Sequence, residues 1–199
     1  MRRPTPTLVS LLDEVLLTYH TAFCDKVFAN AESGLDPLMD VFGLTPSLKG
    51  ANRQYWGREL GMCWQRLCAK LCRTECAERY ANPQKYGDDE PYDFRVDDYA
   101  IDTKYRIGSG DAGTLKKFKA NGILLAKEGL KPTMLILRSD NLPAAISACK
   151  AGGWDTRIGP ASFAFLRELT GGFELEQWLR QRSGSLLLTP IASVDGAHN

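Results

Sequence analysis

The sequence predicts an α/β protein with a central mixed sheet of four or five strands flanked by helices and a helical N-terminal region. Strand-like and helix-like stretches alternate between residues 93 and 169. Helical apolar spacing dominates the first third of the chain. The length of 199 residues and the apolar content of 44% suit one globular domain with a substantial core.

The N-terminal elements follow from periodicity and from helix-breaking residues. Apolar residues about one helical turn apart predict a helix over 8–28, and a second, short helix is predicted over 36–42. Residues 43–50, rich in Pro, Ser and Gly, are predicted to be a connector. A long helix is predicted over 53–81, which contains no proline. Its core-facing side would carry Trp56, Leu60, Trp64, Leu67 and Leu71.

Residues 93–107 predict a β-hairpin that carries acidic and basic side chains. Both 93–96 and 100–107 have strand composition, and Asp97-Asp98 between them is a turn signal. Because side chains alternate across a strand, Asp102 and Lys104 share one face. Antiparallel pairing would bring Asp93 across to the same place. Paired carboxylates of this kind are suited to Mg²⁺, which binds through one or two carboxylates together with substrate phosphate.

The rest of the chain continues the α/β alternation. We predict strands over 133–137 and 154–158, and helices over 141–151 and 162–169. Asp140 and Asn141 are predicted to cap the helix that follows them. Residues 172–199 are predicted to form a C-terminal helix and a tail, with the end of the segment after Gly184 loosely structured.

The glycine-rich stretch 107–119 lies between a strand and a helix, but it lacks the Gly-Lys-Ser/Thr of a nucleotide-binding loop. Thr114 is predicted to cap the helix, whose free N–H groups would face an anion. A phosphate group of a nucleic acid is one such anion. The candidate DNA-binding residues are Ser109, Thr114, Lys116, Lys117, Lys119, Arg138 and Ser139.

Residues 91–104 resemble the active-site hairpin of the PD-(D/E)XK nucleases, and residues 55–171 resemble a type II restriction endonuclease. The segment SFAFLRELTGG also resembles a recurring C-terminal element of those enzymes. The resemblance implies a restriction-endonuclease-like core, with Asp93 and Asp102 as Mg²⁺ ligands and Lys104 as a catalytic residue. Tyr92 separates Pro91 from Asp93, so Asp97 stays open as the alternative first ligand, although spacing favours Asp93.

A glutamate from a preceding helix often joins the site in this family, and Glu59 is the matching position. Periodicity places Glu59 near the edge of the buried face of its helix, where it would either reach the site or pair with Arg66 or Lys70. The resemblance also divides the single nuclease domain 1–199 into a helical region 1–52, a catalytic core 53–171 and the segment 172–199.

Six cysteines include Cys63, Cys68, Cys72 and Cys76 within one predicted helix. Zinc or iron–sulfur binding would need closely spaced pairs, and the segment has no C-x-x-C and no suitably placed histidine. Burial as reduced, small apolar side chains is the favoured interpretation.

The net charge of +1 is uninformative about partners. The N-terminus does not read as a signal peptide, because Asp13 and Glu14 interrupt its apolar run, and no stretch has the apolar length of a membrane span. The expected location is therefore cytoplasmic.

We expect a homodimeric, Mg²⁺-dependent, sequence-specific endonuclease that hydrolyses double-stranded DNA. The alternatives are a repair nickase or junction resolvase with the same core, a non-catalytic DNA-binding module, and a cysteine-rich metal or redox protein.

Overall fold

A computed structural model of the chain describes residues 34–108 and 110–188. A five-stranded sheet in the order β1-β2-β3-β4-β5 forms its centre. The first three strands pair antiparallel, and β3, β4 and β5 pair parallel. This mixed sheet confirms the predicted α/β class and strand number. The strands are β1 Tyr80–Ala81, β2 Phe94–Val96, β3 Tyr99–Lys104, β4 Lys131–Ile136 and β5 Asp155–Ile158.

Helices lie on both faces of the sheet. One core, beneath α3 and α6, includes Trp64, Ile101 and Leu166; the other, beneath α4 and α5, includes Leu125 and Met134. The helices are α1 Pro37–Phe42, α2 Pro46–Ala51, α3 Arg53–Glu75, α4 Ala112–Lys127, α5 Pro143–Ala151, α6 Pro160–Leu169 and α7 Leu175–Arg180.

Side-chain caps explain where the N-terminal helices begin. Asp36 accepts hydrogen bonds from the first-turn amides of α1, which has the predicted extent. Thr45 caps α2 in the same way, with Pro46 at the first helical position. The prediction of a connector over residues 43–50 is therefore wrong from Pro46 onward.

The long helix α3 ends at Glu75, six residues before its predicted end at residue 81. A short 3₁₀ turn, Ala77–Arg79, follows, and the chain then forms β1. Tyr80 pairs with Val96 of β2, and its ring stacks on Phe94 at a centroid distance of 5.8 Å. Pairing with a distant strand ends the helix here, and helical periodicity alone carries no sign of it.

Two strand–helix–strand units build the parallel half of the sheet. Helix α4 connects β3 to β4, and α5 connects β4 to β5. Strand β4 is covered on both faces, as its continuous apolar run predicts. The predicted strands and helices over residues 133–169 are all present. Most of their ends differ from the predicted ones by one or two residues.

Strand β3 positions the candidate site, because its alternate residues enter different layers. Ile101 and Tyr105 belong to the core beneath α3, while Ala100 belongs to the core beneath α4 and α5. Asp102 and Lys104 continue the Ala100 side of the strand. The two charged side chains therefore share one face of the strand, as predicted, and this face of the central strand is the one covered by α4.

The segment after α7 is attached to α1 as far as it is described. The backbone amides of Gly184, Leu186 and Leu188 donate to carbonyls of α1, at 2.7, 3.1 and 3.1 Å. The helix predicted over 8–28, Ser109 and residues 189–199 lie outside the described residues. Within the described residues, no helix is long and apolar enough to cross a membrane.

Candidate active site

The predicted hairpin is present and fixes which aspartate accompanies Asp102. Strands β2 and β3 pair with Phe94 opposite Ile101, so the same register continued by one residue places Asp93 opposite Asp102. Asp97 adopts the left-handed backbone conformation of the turn, at φ 49°, and its carboxylate binds Arg79 at 2.8 Å. It therefore lies at the far end of the hairpin, and the geometry favours Asp93 as the partner of Asp102.

Asp93, Asp102 and Lys104 line one pocket of about 230 Å³ between the hairpin and α4. The α4 side chains in its wall are Thr114, Lys117, Phe118 and Asn121, which recur at helical spacing along one side of that helix. The remaining wall is formed by Glu90, Pro91 and Trp154. The pocket thus joins acidic groups, two lysines and two aromatic rings.

Hydrogen bonds from two elements hold the Asp93 carboxylate. Its Oδ2 accepts from the Thr103 backbone amide at 2.7 Å and from Thr103 Oγ1 at 2.5 Å. Its Oδ1 accepts from Gln65 Nε2 of α3 at 2.8 Å. Three donors on one carboxylate fix its orientation before any ligand arrives.

Lys104 donates to both oxygens of Asp102, at 2.8 and 2.7 Å. The Asp102 side chain is 12% exposed and the Lys104 side chain 33%. Burial raises the pKa of Asp102 to about 6; Lys104 opposes that rise and Asp93 adds to it. Asp102 is thus a carboxylate that an additional cation would stabilise.

Burial lowers the pKa of Lys104, but its attraction to Asp102 and the hydrogen bond between them outweigh this effect, and the net pKa is raised. Lys104 therefore stays protonated at neutral pH. Its chemistry in this state is that of a hydrogen-bond donor and positive charge beside the pocket.

Two carboxylates are available for a metal ion in this pocket. Across the described ranges, no group of three or more His, Cys, Asp or Glu side chains is arranged to hold a metal. A carboxylate oxygen accepts about two hydrogen bonds, and the contacts above give Asp93 Oδ1 one donor, Gln65, and each Asp102 oxygen one contact with Lys104. That donor set fits Mg²⁺, which takes one or two protein carboxylates and completes its shell with water and phosphate.

Glu59 lies elsewhere on α3. It pairs with Arg58 at 2.9 Å and not with Arg66 or Lys70, the pairing that was the alternative to a place in the site, and it borders a different surface pocket with Met62 and Cys63. Glu59 is not among the residues that line the pocket of Asp102. Gln65 reaches Asp93 from the same helix. It lies six positions after Glu59, which corresponds to a rotation of about 240° around the helix.

The candidate DNA-binding residues separate into distinct environments. Thr114 and Lys117 line the pocket, while Lys116, Lys119 and Ser139 are exposed and are not part of its wall. Arg138 is buried, with its guanidinium bound to Asp36 at 3.1 Å and to Asp140 at 2.7 Å. Because the Arg138 side chain is engaged in this buried network, the structure argues against a role for it in contacting DNA bases.

Three predicted helix caps are wrong. Asp111, not Thr114, caps α4: its carboxylate accepts from the Thr114 amide at 2.9 Å and the Thr114 hydroxyl at 2.6 Å. The anion at this helix N-terminus is thus a side chain of the protein. Asp140 binds Arg138 and Arg106, and Asn141 accepts from the Ile107 amide at 2.8 Å, so neither caps α5.

The cysteines of α3 contribute to packing. Cys68, Cys72 and Cys76 are buried in the core beneath α3, as predicted, and Cys63 is half-buried. Burial raises the pKa of Cys72 to about 12, with a further rise from Cys76 and a smaller opposing effect of Arg79. These thiols therefore remain protonated at neutral pH.

Gln65 and Asn121, which contact Asp93 and line the pocket respectively, were not predicted from the sequence. Their amides are neutral and each lies within an ordinary helical stretch. Alternation along β3 places Thr103 on the face opposite to Asp102 and Lys104, yet its hydroxyl donates to the Asp93 carboxylate.

Comparisons with models of known protein families, with curated proteins and with solved structures give no match to this chain. The class of protein that the fold and the pocket define is an α/β protein with an acidic and basic pocket on its central sheet. A more specific assignment depends on the chemistry of that pocket.

Proposed function

We propose that this chain is a Mg²⁺-dependent DNA endonuclease of the type II restriction class, with a restriction-endonuclease-like core. The observation that carries the proposal is the convergence of Asp93, Asp102 and Lys104 in one pocket. The resemblance to the PD-(D/E)XK hairpin selected these three residues from sequence alone. Their shared pocket supports the chemistry that the resemblance implies.

Asp93 and Asp102 would hold the magnesium ion. When bound, the ion would supply Lewis-acid stabilisation of a phosphoryl oxygen and a water of lowered pKa. The protein's own contribution is orientation: Thr103 and Gln65 hold Asp93, and Asp102 lies on the central strand β3. Rigid placement of the ligands matters because Mg²⁺ requires near-ideal octahedral geometry.

Lys104 would stabilise charge on the reacting phosphate. Its ammonium group is anchored by Asp102 and borders the pocket that the phosphate would enter. A preorganised donor at that place is more effective in the transition state, where negative charge on the phosphoryl oxygens grows, than in the ground state. Its raised pKa favours this donor role over a role as the base that deprotonates water.

Homodimerisation belongs to the same proposal. The pocket of Asp102 would cut one strand, and a palindromic duplex needs one cut in each strand, which a symmetric pair of chains supplies. We also propose a cytoplasmic location, as expected from the sequence.

Plasmid cleavage tests the proposal, with wild type, Asp93→Asn and Asp98→Asn compared in Mg²⁺ and in EDTA. Asp98 is a matched control, because it belongs to the same hairpin but its carboxylate is paired only loosely with Lys131, at 3.8 Å on the surface. We expect discrete fragments from wild type and Asp98→Asn in Mg²⁺, and intact plasmid from Asp93→Asn or in EDTA.

Other outcomes of the plasmid assay would indicate a different function or a different metal site. Nicking alone would indicate a repair nickase, and binding without cleavage would indicate a DNA-binding module. Equal cleavage by Asp93→Asn and wild type would contradict the assignment of the metal site.

A further inference from the structure

Asp89 lies in a tight turn that leads into the wall of the pocket. Tyr86 and Asp89 exchange backbone hydrogen bonds at 2.8 and 3.3 Å around Gly87, whose φ of 65° suits a glycine. The next residues, Glu90 and Pro91, line the pocket. The position of Asp89 is therefore fixed by local backbone structure at the pocket's edge.

The Asp89 carboxylate is held from α4. Lys117 Nζ donates to its Oδ1 at 2.9 Å, and the Asn121 side chain lies near the same carboxylate. The hydrogen bond from Lys117 has the largest effect on the pKa of Asp89 and holds it below its ordinary value. Burial opposes this effect, whereas the Lys117 charge, the Glu90 backbone and, least of all, the Asn121 side chain add to it. Lys117 thus already binds an oxyanion, and Asn121 lies beside it on α4.

These two donors belong to the same pocket wall as the catalytic candidates. Lys117 and Asn121 are four residues apart on α4, so they project side by side, and both line the pocket of Asp102 and Lys104. Lys116 and Lys119 are exposed elsewhere around the helix and are not part of the wall. The three lysines are therefore not equivalent.

We propose that Lys117 and Asn121 bind a backbone phosphate of the DNA at the pocket, and that Asp89 occupies this position until the phosphate displaces it. This inference rests on the proposed nuclease function and assigns positioning residues within it. Phosphate and carboxylate oxygens accept the same hydrogen bonds, so the donors that hold Asp89 suit a phosphodiester.

The exchange has a low cost. The side chains of Lys117 and Asp89 are 59% and 43% exposed, and ion pairs of this kind contribute little to stability. A DNA phosphate arrives with the attraction of the remaining basic groups and with the release of counterions. Removal of the competing carboxylate should therefore tighten DNA binding by about two- to fivefold.

The test is fluorescence anisotropy of a labelled duplex of random sequence, titrated in Ca²⁺ over a range of salt concentrations. The variants are Asp89→Asn, Lys117→Ala, their combination and Lys117→Arg. Asp98→Asn is the control, because it makes the same change of net charge at another exposed ion pair, away from the pocket. All of these side chains are exposed, so folding should be preserved.

We expect Asp89→Asn to bind about two- to fivefold more tightly than Asp98→Asn, Lys117→Ala to bind more weakly, and Lys117→Arg to retain binding. In the Lys117→Ala background, Asp89→Asn should have no further effect beyond that of the control charge change. A purely structural role of the Lys117–Asp89 ion pair would not produce a gain in DNA binding that depends on Lys117.

Two results would overturn the inference separately from the function. The first is that wild type binds DNA but Asp89→Asn and Asp98→Asn bind it with the same affinity. The other is an equal gain from Asp89→Asn with and without Lys117. Absence of DNA binding in wild type and every variant would overturn the proposed function and, with it, this phosphate site.

Discussion

Asp102 should destabilise the folded protein at neutral pH, and Asp102→Asn should reveal this cost. One pKa unit corresponds to about 1.4 kcal/mol. A pKa of about 6 against an ordinary value of 3.8 therefore costs the folded state about 3 kcal/mol once the carboxyl is ionised. Asparagine has nearly the same shape and no charge, so the substitution should recover up to this amount.

The sign and pH window follow from the raised pKa. The cost is absent below about pH 4, where the carboxyl is protonated in both the folded and the unfolded chain, and is fully present above about pH 6. Urea unfolding followed by tryptophan fluorescence in EDTA should show Asp102→Asn to be more stable than wild type at pH 8. The difference should shrink progressively toward pH 4.5.

Asp98→Asn provides the control for the loss of a hairpin carboxylate, since the Asp98 side chain is 68% exposed. It should show no comparable trend with pH. An Asp102→Asn variant that is no more stable than wild type at pH 8, or a gain that is the same at every pH, would refute the reasoning.

Two further predictions concern packing and positioning. Gly122→Ala should destabilise the protein by about 1–3 kcal/mol in urea unfolding, because the added Cβ would lie 2.3 Å from the Gly152 carbonyl oxygen. Gly57→Ala is the control: the added Cβ would have no described atom within 4 Å, so it should stabilise α3 by up to about 1 kcal/mol. Equal effects would contradict the close approach of α4 to Gly152. Gln65→Leu should lower the Mg²⁺-dependent cleavage rate about 10- to 100-fold by releasing Asp93 Oδ1, while DNA binding in Ca²⁺ stays unchanged. An unchanged rate would show that Gln65 does not position Asp93.

The hairpin was predictable because its determinants are local. Asp97-Asp98 marks the turn, and the alternation of Ile101, Asp102, Thr103 and Lys104 specifies which side chains share a face. Once antiparallel pairing is assumed, the meeting of Asp93 and Asp102 follows from register alone. These are the elements on which the candidate site depends.

The features that sequence did not reveal depend on contacts between distant segments. The end of α3 is set by the pairing of Tyr80 with Val96, and the partner of Asp140 is set by the approach of Arg106 and Arg138. Glu59 differs, because its partner is the adjacent Arg58 and helical spacing considers only residues three or four positions away. The cap of α4, by contrast, could have been predicted from the sequence: Asp111 precedes Thr114 by three residues, a spacing typical of a capping side chain.

The most direct test of the central claim is the single-turnover rate of DNA cleavage by Lys104→Ala in Mg²⁺, measured alongside DNA binding in Ca²⁺. Lys104 borders the pocket and is held by Asp102, so its charge would serve the reacting phosphate more than ground-state binding. We predict a loss of rate on the order of a hundredfold or more with binding near wild type. Lys104→Arg should restore little of the rate, because a planar guanidinium does not replace a compact ammonium group. Cleavage by Lys104→Ala at the wild-type rate would contradict the assignment of Asp93, Asp102 and Lys104 as a catalytic site.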